Sequence, residues 1–285
     1  MCSLSVFEKA KAIKENGFPS RLFKYRCFDE KNHWIDWVKG EIYLSSASSF
    51  NDPFDCSYTT DIQIYRDHFI RIPVLDFLRT HLKLNKADII RIEVADDPLV
   101  AARTVLSHHC YQLDNEIDQL VSLDKFERLL QGIFLVSCFS EVNDSILMWS
   151  HYSDKHQGFC IEYDFRNNEQ IHEMTFPVIY SDERVNLQIE PDTVEKSWII
   201  SSVLSKSGCW SYEHEWRFIS VDPDKESKQT NFHVDARSCV RAIYVGARVT
   251  DDNMKKISYV ASILSLPVYR MTMDNASFRL YPIKV

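Results

Sequence analysis

The sequence predicts an α+β fold, a mixed or antiparallel β core with an inserted helical segment. Three observations lead there. Short apolar runs bounded by turn residues occupy both ends of the chain. Apolar residues at helical spacing crowd the middle. Strands and helices do not alternate strictly, as a parallel α/β sheet would require.

Taken in order, "RLFKYR" reads as a strand, "NHWIDWVKG" as a short helix, and "EIYLSSASSFNDPFDCSY" as a strand entering a tight polar loop. From 62 to 133 the helical spacing recurs three times: Val74, Leu75, Leu78 and Leu82; then Leu113, Ile117, Leu120 and Val121; then Phe126, Leu129, Leu130 and Ile133. Asp97-Pro98 has the form of a helix start. Beyond 133, "IFLVSCFS" is a strand, "NDSILMWSHYSD" an amphipathic helix and "GFCIEYDF" a strand. "FPVIYSD", "EWRFISV", "VRAIYVGA", "PVYRMTM" and "FRLYPIKV" follow, with a helix from about Thr250 to Leu264. Connections are short, so residues 1–285 are expected to form one domain with a helical insertion at about 62–133.

Composition narrows the function classes. A net charge of −8 argues against a broadly basic nucleic-acid binder, although residues 1–40 are locally basic. The eight cysteines are scattered singly, without a C-x-x-C pair, so reduced thiols are expected and a structural zinc site is not. His151, His156 and Cys160 lack a fourth partner at zinc spacing. No apolar run approaches membrane-spanning length, and the first residues lack the apolar core of a secretion signal, so a cytoplasmic protein with no membrane partner is expected. Phosphate-loop, dinucleotide-fingerprint, nucleophile-elbow and H-E-x-x-H motifs are missing from the sequence.

Several clusters carry candidate chemistry. In "YEHEWRF", continued strand geometry would put Glu213, Glu215 and Arg217 on one face and Trp216 and Phe218 on the other. Two neighbouring carboxylates repel, so one pKa should rise unless Arg217 neutralises them. The alternative is a solvated face with an ordinary ion pair. In the loop, Ser45, Ser46, Phe50, Asn51 and Asp52 offer either a ligand loop or a structural Asx-Pro turn. Lys24 and Arg26, either side of Tyr25, share a strand face suited to phosphate, or else are surface cations. Trp149 and Tyr152 lie three apart on a helix, a spacing more typical of core.

Together, "LFKYR", "IYLSSASSFNDPFD", "VSCFSEVNDSILMWSHYSDKHQGFCIEYD" and "WSYEHEWRFI" resemble the bacterial domain of unknown function 2971 family over roughly residues 22–246. The order of parts is also similar to ADP-ribosyltransferases, which carry an early Arg or His, a middle Ser-x-Ser strand and a late Glu-x-Glu. Arg26 matches the first and Glu213 with Glu215 the third. Ser137 and Ser140 in "VSCFS" match the second with one residue too many between them, and Ser45, Ser46 or Ser48 is an alternative.

This second resemblance implies NAD as substrate, no metal, and transfer of ADP-ribose to a macromolecular acceptor, whether protein, DNA or RNA. It suggests a toxin or phage-defence effector, with a cognate antitoxin or regulator as a partner. Glu215 would stabilise oxocarbenium character, Glu213 would orient or deprotonate the acceptor, and Arg26 would hold the pyrophosphate. The serines would position ribose and glutamate, and Phe50, Trp149 or Tyr152 would stack on a ring. Lys24, Tyr25, Asn51, Asp52 and Arg217 complete the expected NAD-binding set. The alternatives are an NAD glycohydrolase and a non-enzymatic module that binds a nucleotide, a nucleic acid or a protein.

Overall fold

A computed structural model describes residues 4–29, 31, 33–60, 85–95, 100–102, 104–105, 134–187, 196–221 and 232–285. The described elements begin with helix α1 (Val6–Asn16), whose start is fixed by a capping box: Ser5 Oγ accepts the Glu8 amide and Glu8 returns a carboxylate oxygen to the Ser5 amide. Strand β1 (Leu22–Arg26), helix α2 (Trp34–Val38), strand β2 (Glu41–Ser46) and strand β3 (Tyr58–Thr60) follow.

Within the expected helical zone, helix α3 (Lys86–Glu93) is described. The runs beginning at Val74, Leu113 and Phe126, and the Asp97-Pro98 start, lie outside the described residues. Strand β4 (Phe134–Ser140), helix α4 (Ile146–Tyr152), strand β5 (Phe159–Tyr163) and helix α5 (Glu169–Glu173) come next. After them come β6 (Thr175–Pro177), β7 (Ile179–Ser181), β8 (Val185–Leu187), α6 (Lys196–Val203), β9 (Ser205–Ser207) and β10 (Glu215–Val221). The chain finishes with β11 (Phe232–Asp235), β12 (Val240–Val245), α7 (Asp251–Ile263), β13 (Val268–Met273) and β14 (Leu280–Lys284).

The principal sheet runs β11-β2-β4-β1-β5-β12-β13-β14, and β10 bridges β4 to β6. Its pairings are antiparallel except for β12 with β13. This is the α+β architecture expected. Central β5 is buried at all five positions, including Glu162, whose carboxylate accepts the Tyr244 hydroxyl at 2.6 Å. Trp216 and Phe218 are buried in the main core, opposite Arg217, as strand alternation requires. Among the described residues, no helix is long and apolar enough to cross a membrane.

The position of the cavity follows from strand register. Along one edge of β4, Phe23 of β1 pairs with Ser140, whereas Ser45 of β2 pairs with Val136. Between those contacts β1 and β2 diverge, leaving residues 137–139 of β4 flanked on that side by an opening. On its other edge β4 is paired with β10 throughout, from Glu215 opposite Ser140 to Val221 opposite Phe134. The sheet therefore splits on one side of β4 and stays closed on the other.

Candidate active site: a cavity over a buried charge network

A cavity of about 380 Å³ opens where the sheet splits. Strand β1 supplies Lys24, Tyr25 and Arg26 to its wall; β2 and the following loop supply Ser45, Phe50 and Asn51. Ser140 at the end of β4, Tyr152 of α4, Glu213 and Glu215 complete the expected site residues that line it. Ser46, Asp52, Ser137, Trp149 and Arg217 are not part of that lining.

Each of the five is engaged elsewhere. Ser137 accepts a hydrogen bond from Lys24 Nζ at 3.0 Å, and Ser46 gives its carbonyl to Ser49. Asp52 accepts the Phe54 amide at 2.8 Å, forming the structural Asx turn, and its other oxygen accepts Trp210 Nε1 at 2.7 Å. Trp149 is fully buried, edge-on to Tyr25, with its indole N–H on the Asn143 carbonyl. The ring-stacking role considered for Trp149 is thereby closed to it, because no face of the indole reaches the cavity. Arg217 is fully buried beneath the floor.

The Glu-x-Glu geometry departs from the strand expected. Gly208–Glu213 forms a 3-10 helix, His214 adopts a left-handed conformation with φ 45°, and the strand begins only at Glu215. Period-two alternation therefore does not relate the two glutamates. They converge because Lys206, from β9, reaches both: its Nζ is 2.5 Å from Glu213 Oε2 and 2.9 Å from Glu215 Oε2. Arg217 closes the network, with Nε 2.8 Å from Glu215 Oε1 and Nη2 2.8 Å from Asp55 Oδ2. Its Nη1 donates to the Val203 carbonyl at 2.6 Å. Tyr152 donates to Glu213 Oε1 at 2.6 Å, and the Glu215 amide donates to Tyr180 Oη at 2.9 Å.

The carboxylates have different electrostatic fates. Burial would raise Glu215, but Arg217 and Lys206 outweigh it and hold this carboxyl well below the usual range. Glu213 is pushed up, first by burial and then by the neighbouring Glu215 charge, despite its bond to Lys206. Repulsion between the pair thus falls on the member without an arginine. Lys206 itself is held above the usual lysine value: burial opposes this, and the surrounding carboxylates prevail.

The opposite wall carries the basic residues Lys24 and Arg26. Lys24 Nζ donates to Ser137 Oγ and, at 2.6 Å, to the Cys138 carbonyl. Burial, then the neighbouring Arg26 charge, lowers its pKa to about 7. Arg26 lies over the Trp37 ring at 4.6 Å, and burial lowers its pKa too. Neither has an ion-pair partner among the described residues. The close packing of β1 depends on Gly158, where an added Cβ would lie 2.2 Å from the Arg26 carbonyl.

A second cavity of about 510 Å³ shares Asn51 and Lys206 with the first and is lined also by Phe54, Arg184 and Trp210. Nothing in the local sequence singles out Lys206, Asp55, Tyr180 or Trp210. Lys206 sits in "LSKSG", which carries no pattern, and Asp55 closes a polar loop. No group of residues suited to holding a metal occurs among the described residues.

The family model described as "Protein of unknown function (DUF2971)" matches residues 148–218. Over that span the chain is similar to this family. The matched segment contains Tyr152, Lys206, Glu213, Glu215 and Arg217, most of the charge network. Asp55 and the cationic strand Lys24–Arg26 join it from outside. No curated protein and no solved structure matches the chain.

Proposed function

We propose that the cavity binds NAD and that the protein transfers ADP-ribose to a macromolecular acceptor. The observation that carries this reading is the division of one cavity into a basic wall, where Arg26 and Lys24 have no ion-pair partner among the described residues, and a carboxylate wall at Glu213. Arg26 pairs with the pyrophosphate through charge-assisted bonds. On this reading Glu213, rather than Glu215, faces the developing positive charge at the ribose, because Glu215 is already matched by Arg217 and Lys206. A carboxyl with a raised pKa is also suited to taking the acceptor proton. Tyr152 orients it, Ser140 holds the Glu213 carbonyl at 2.6 Å, and Phe50 offers a ring at the rim. The second cavity, reached past Asn51 and Lys206, provides room for the acceptor.

The wider reading is a cytoplasmic toxin or phage-defence effector with reduced thiols, held in check by a cognate antitoxin or regulator. Incubating the protein with labelled NAD and cell lysate, beside a Glu213→Gln variant, tests the activity. Glu213-dependent nicotinamide release with label on a polymer supports the transferase. Release without label points to an NAD glycohydrolase. No release, with ADP still bound in the cavity, overturns the enzyme reading and leaves a nucleotide-binding module.

A further inference from the structure

We propose that Lys24 is a carbonyl-trapping amine, forming an imine with a phosphorylated aldehyde whose phosphate is seated on Arg26. The inference stands apart from NAD chemistry and rests on how the amine is held. Lys24 Nζ donates to two neutral acceptors, Ser137 Oγ at 3.0 Å and the Cys138 carbonyl at 2.6 Å. An uncharged amine has two N–H bonds to give, so these acceptors satisfy both and leave the lone pair. A protonated amine would bring a third N–H without a carboxylate partner among the described residues.

Burial and the Arg26 charge favour the neutral form and outweigh the Phe139 ring face 5.2 Å from Nζ. Arg26 projects from the same face of β1, two residues on, and disfavours a second positive charge. The other titratable groups acting on Lys24 are the Cys138 thiol from β4 and Glu215 from β10. Glu215 is already neutralised by Arg217 and Lys206, and burial holds the thiol protonated. With a pKa of about 7, a large share of the amine is unprotonated at neutral pH, a setting that activates lysine nucleophiles.

The step is an ordinary condensation. The amine nitrogen attacks the carbonyl carbon, a C–N bond forms, and the resulting carbinolamine loses its oxygen as water. The product is a C=N bond, and nothing is oxidised or reduced. The Arg26 guanidinium lies against the Trp37 ring, has no ion-pair partner among the described residues, and can take the phosphate. The bound phosphate in turn stabilises the protonated imine.

Pyridoxal phosphate followed by borohydride reduction and peptide mass mapping is the direct test. Lys24 is expected to be labelled about tenfold faster at pH 7 than the exposed Lys9 and Lys11. Its labelling rate should level off just above pH 7. Pyridoxal without the phosphate, or the Arg26→Gln variant, should abolish the preference. Labelling of Lys24 no faster than Lys9 and Lys11 overturns the proposal, as does equal preference for pyridoxal with and without phosphate. The latter comparison uses the unmodified protein and so does not depend on a variant folding.

Discussion

Replacing Arg217 with methionine should remove the main cation of the buried network while retaining much of its stem volume. Arg217 is fully buried and donates to Glu215 at 2.8 and 3.2 Å, to Asp55 at 2.8 Å and to the Val203 carbonyl at 2.6 Å. In its absence the one cation left to Asp55 among the described residues is Lys206, at 3.6 Å, and that ammonium already serves both glutamates. Removing one partner from such a buried pair costs about 3–5 kcal/mol, chiefly through the charges left behind. For a chain of this size that corresponds to a fall in Tm of roughly 6–15 °C, read by circular dichroism at pH 7.

The pH dependence separates this account from simple loss of packing. Glu215 has a folded pKa below its unfolded value, so its stabilisation is complete above the unfolded value and fades as pH falls through the folded one. In the variant its carboxylate lacks the arginine and is relieved by protonation at a much higher pH. The difference between the two proteins should therefore be largest at neutral pH and shrink towards pH 4. A loss under about 1 kcal/mol, or a gap constant with pH, would refute the argument.

Glu213→Gln should preserve the fold and lower nicotinamide release by about 10²-fold or more. Glu213 has a raised folded pKa, so its favourable contribution is present below the unfolded value and lost as pH rises through the folded one; the variant should gain stability relative to the parent at pH 8 and not at pH 4. Arg26→Gln, with no ion pair to break among the described residues, should change unfolding free energy by less than about 1 kcal/mol while weakening ADP-ribose binding at least about tenfold in calorimetry. Trp149→Ala should cost about 3–5 kcal/mol in denaturant unfolding, because the indole is fully enclosed by Tyr25 and its neighbours.

Local patterns carried much of the architecture. Alternation marked β1 and β10, short apolar runs bounded by turn residues marked β4 and β12, and Thr250 marked the start of α7, where its side chain accepts the Asn253 amide. The motif residues of the site were legible too, since Asn51, Tyr152, Glu213 and Arg26 all reach one cavity. The relation between Glu213 and Glu215 was not. The left-handed His214 interrupts the strand, and no rule of alternation anticipates a single residue at φ 45°.

Lys206 shows most clearly what lay beyond local reading. Its neighbours are serines and a glycine, and its role exists only because β9 pairs in parallel with β7, placing Lys206 opposite Tyr180 and under the glutamates. Asp55 meets Arg217 across 162 residues of chain. Backbone preference and burial period act over a few residues, so the order of amino acids was enough to set the elements and their inward faces. Which carboxylate keeps its charge depends on Arg217, two residues along the same strand, together with the Lys206 ammonium that β9 brings within 3 Å of both glutamates; the local pattern supplies the first and strand pairing the second.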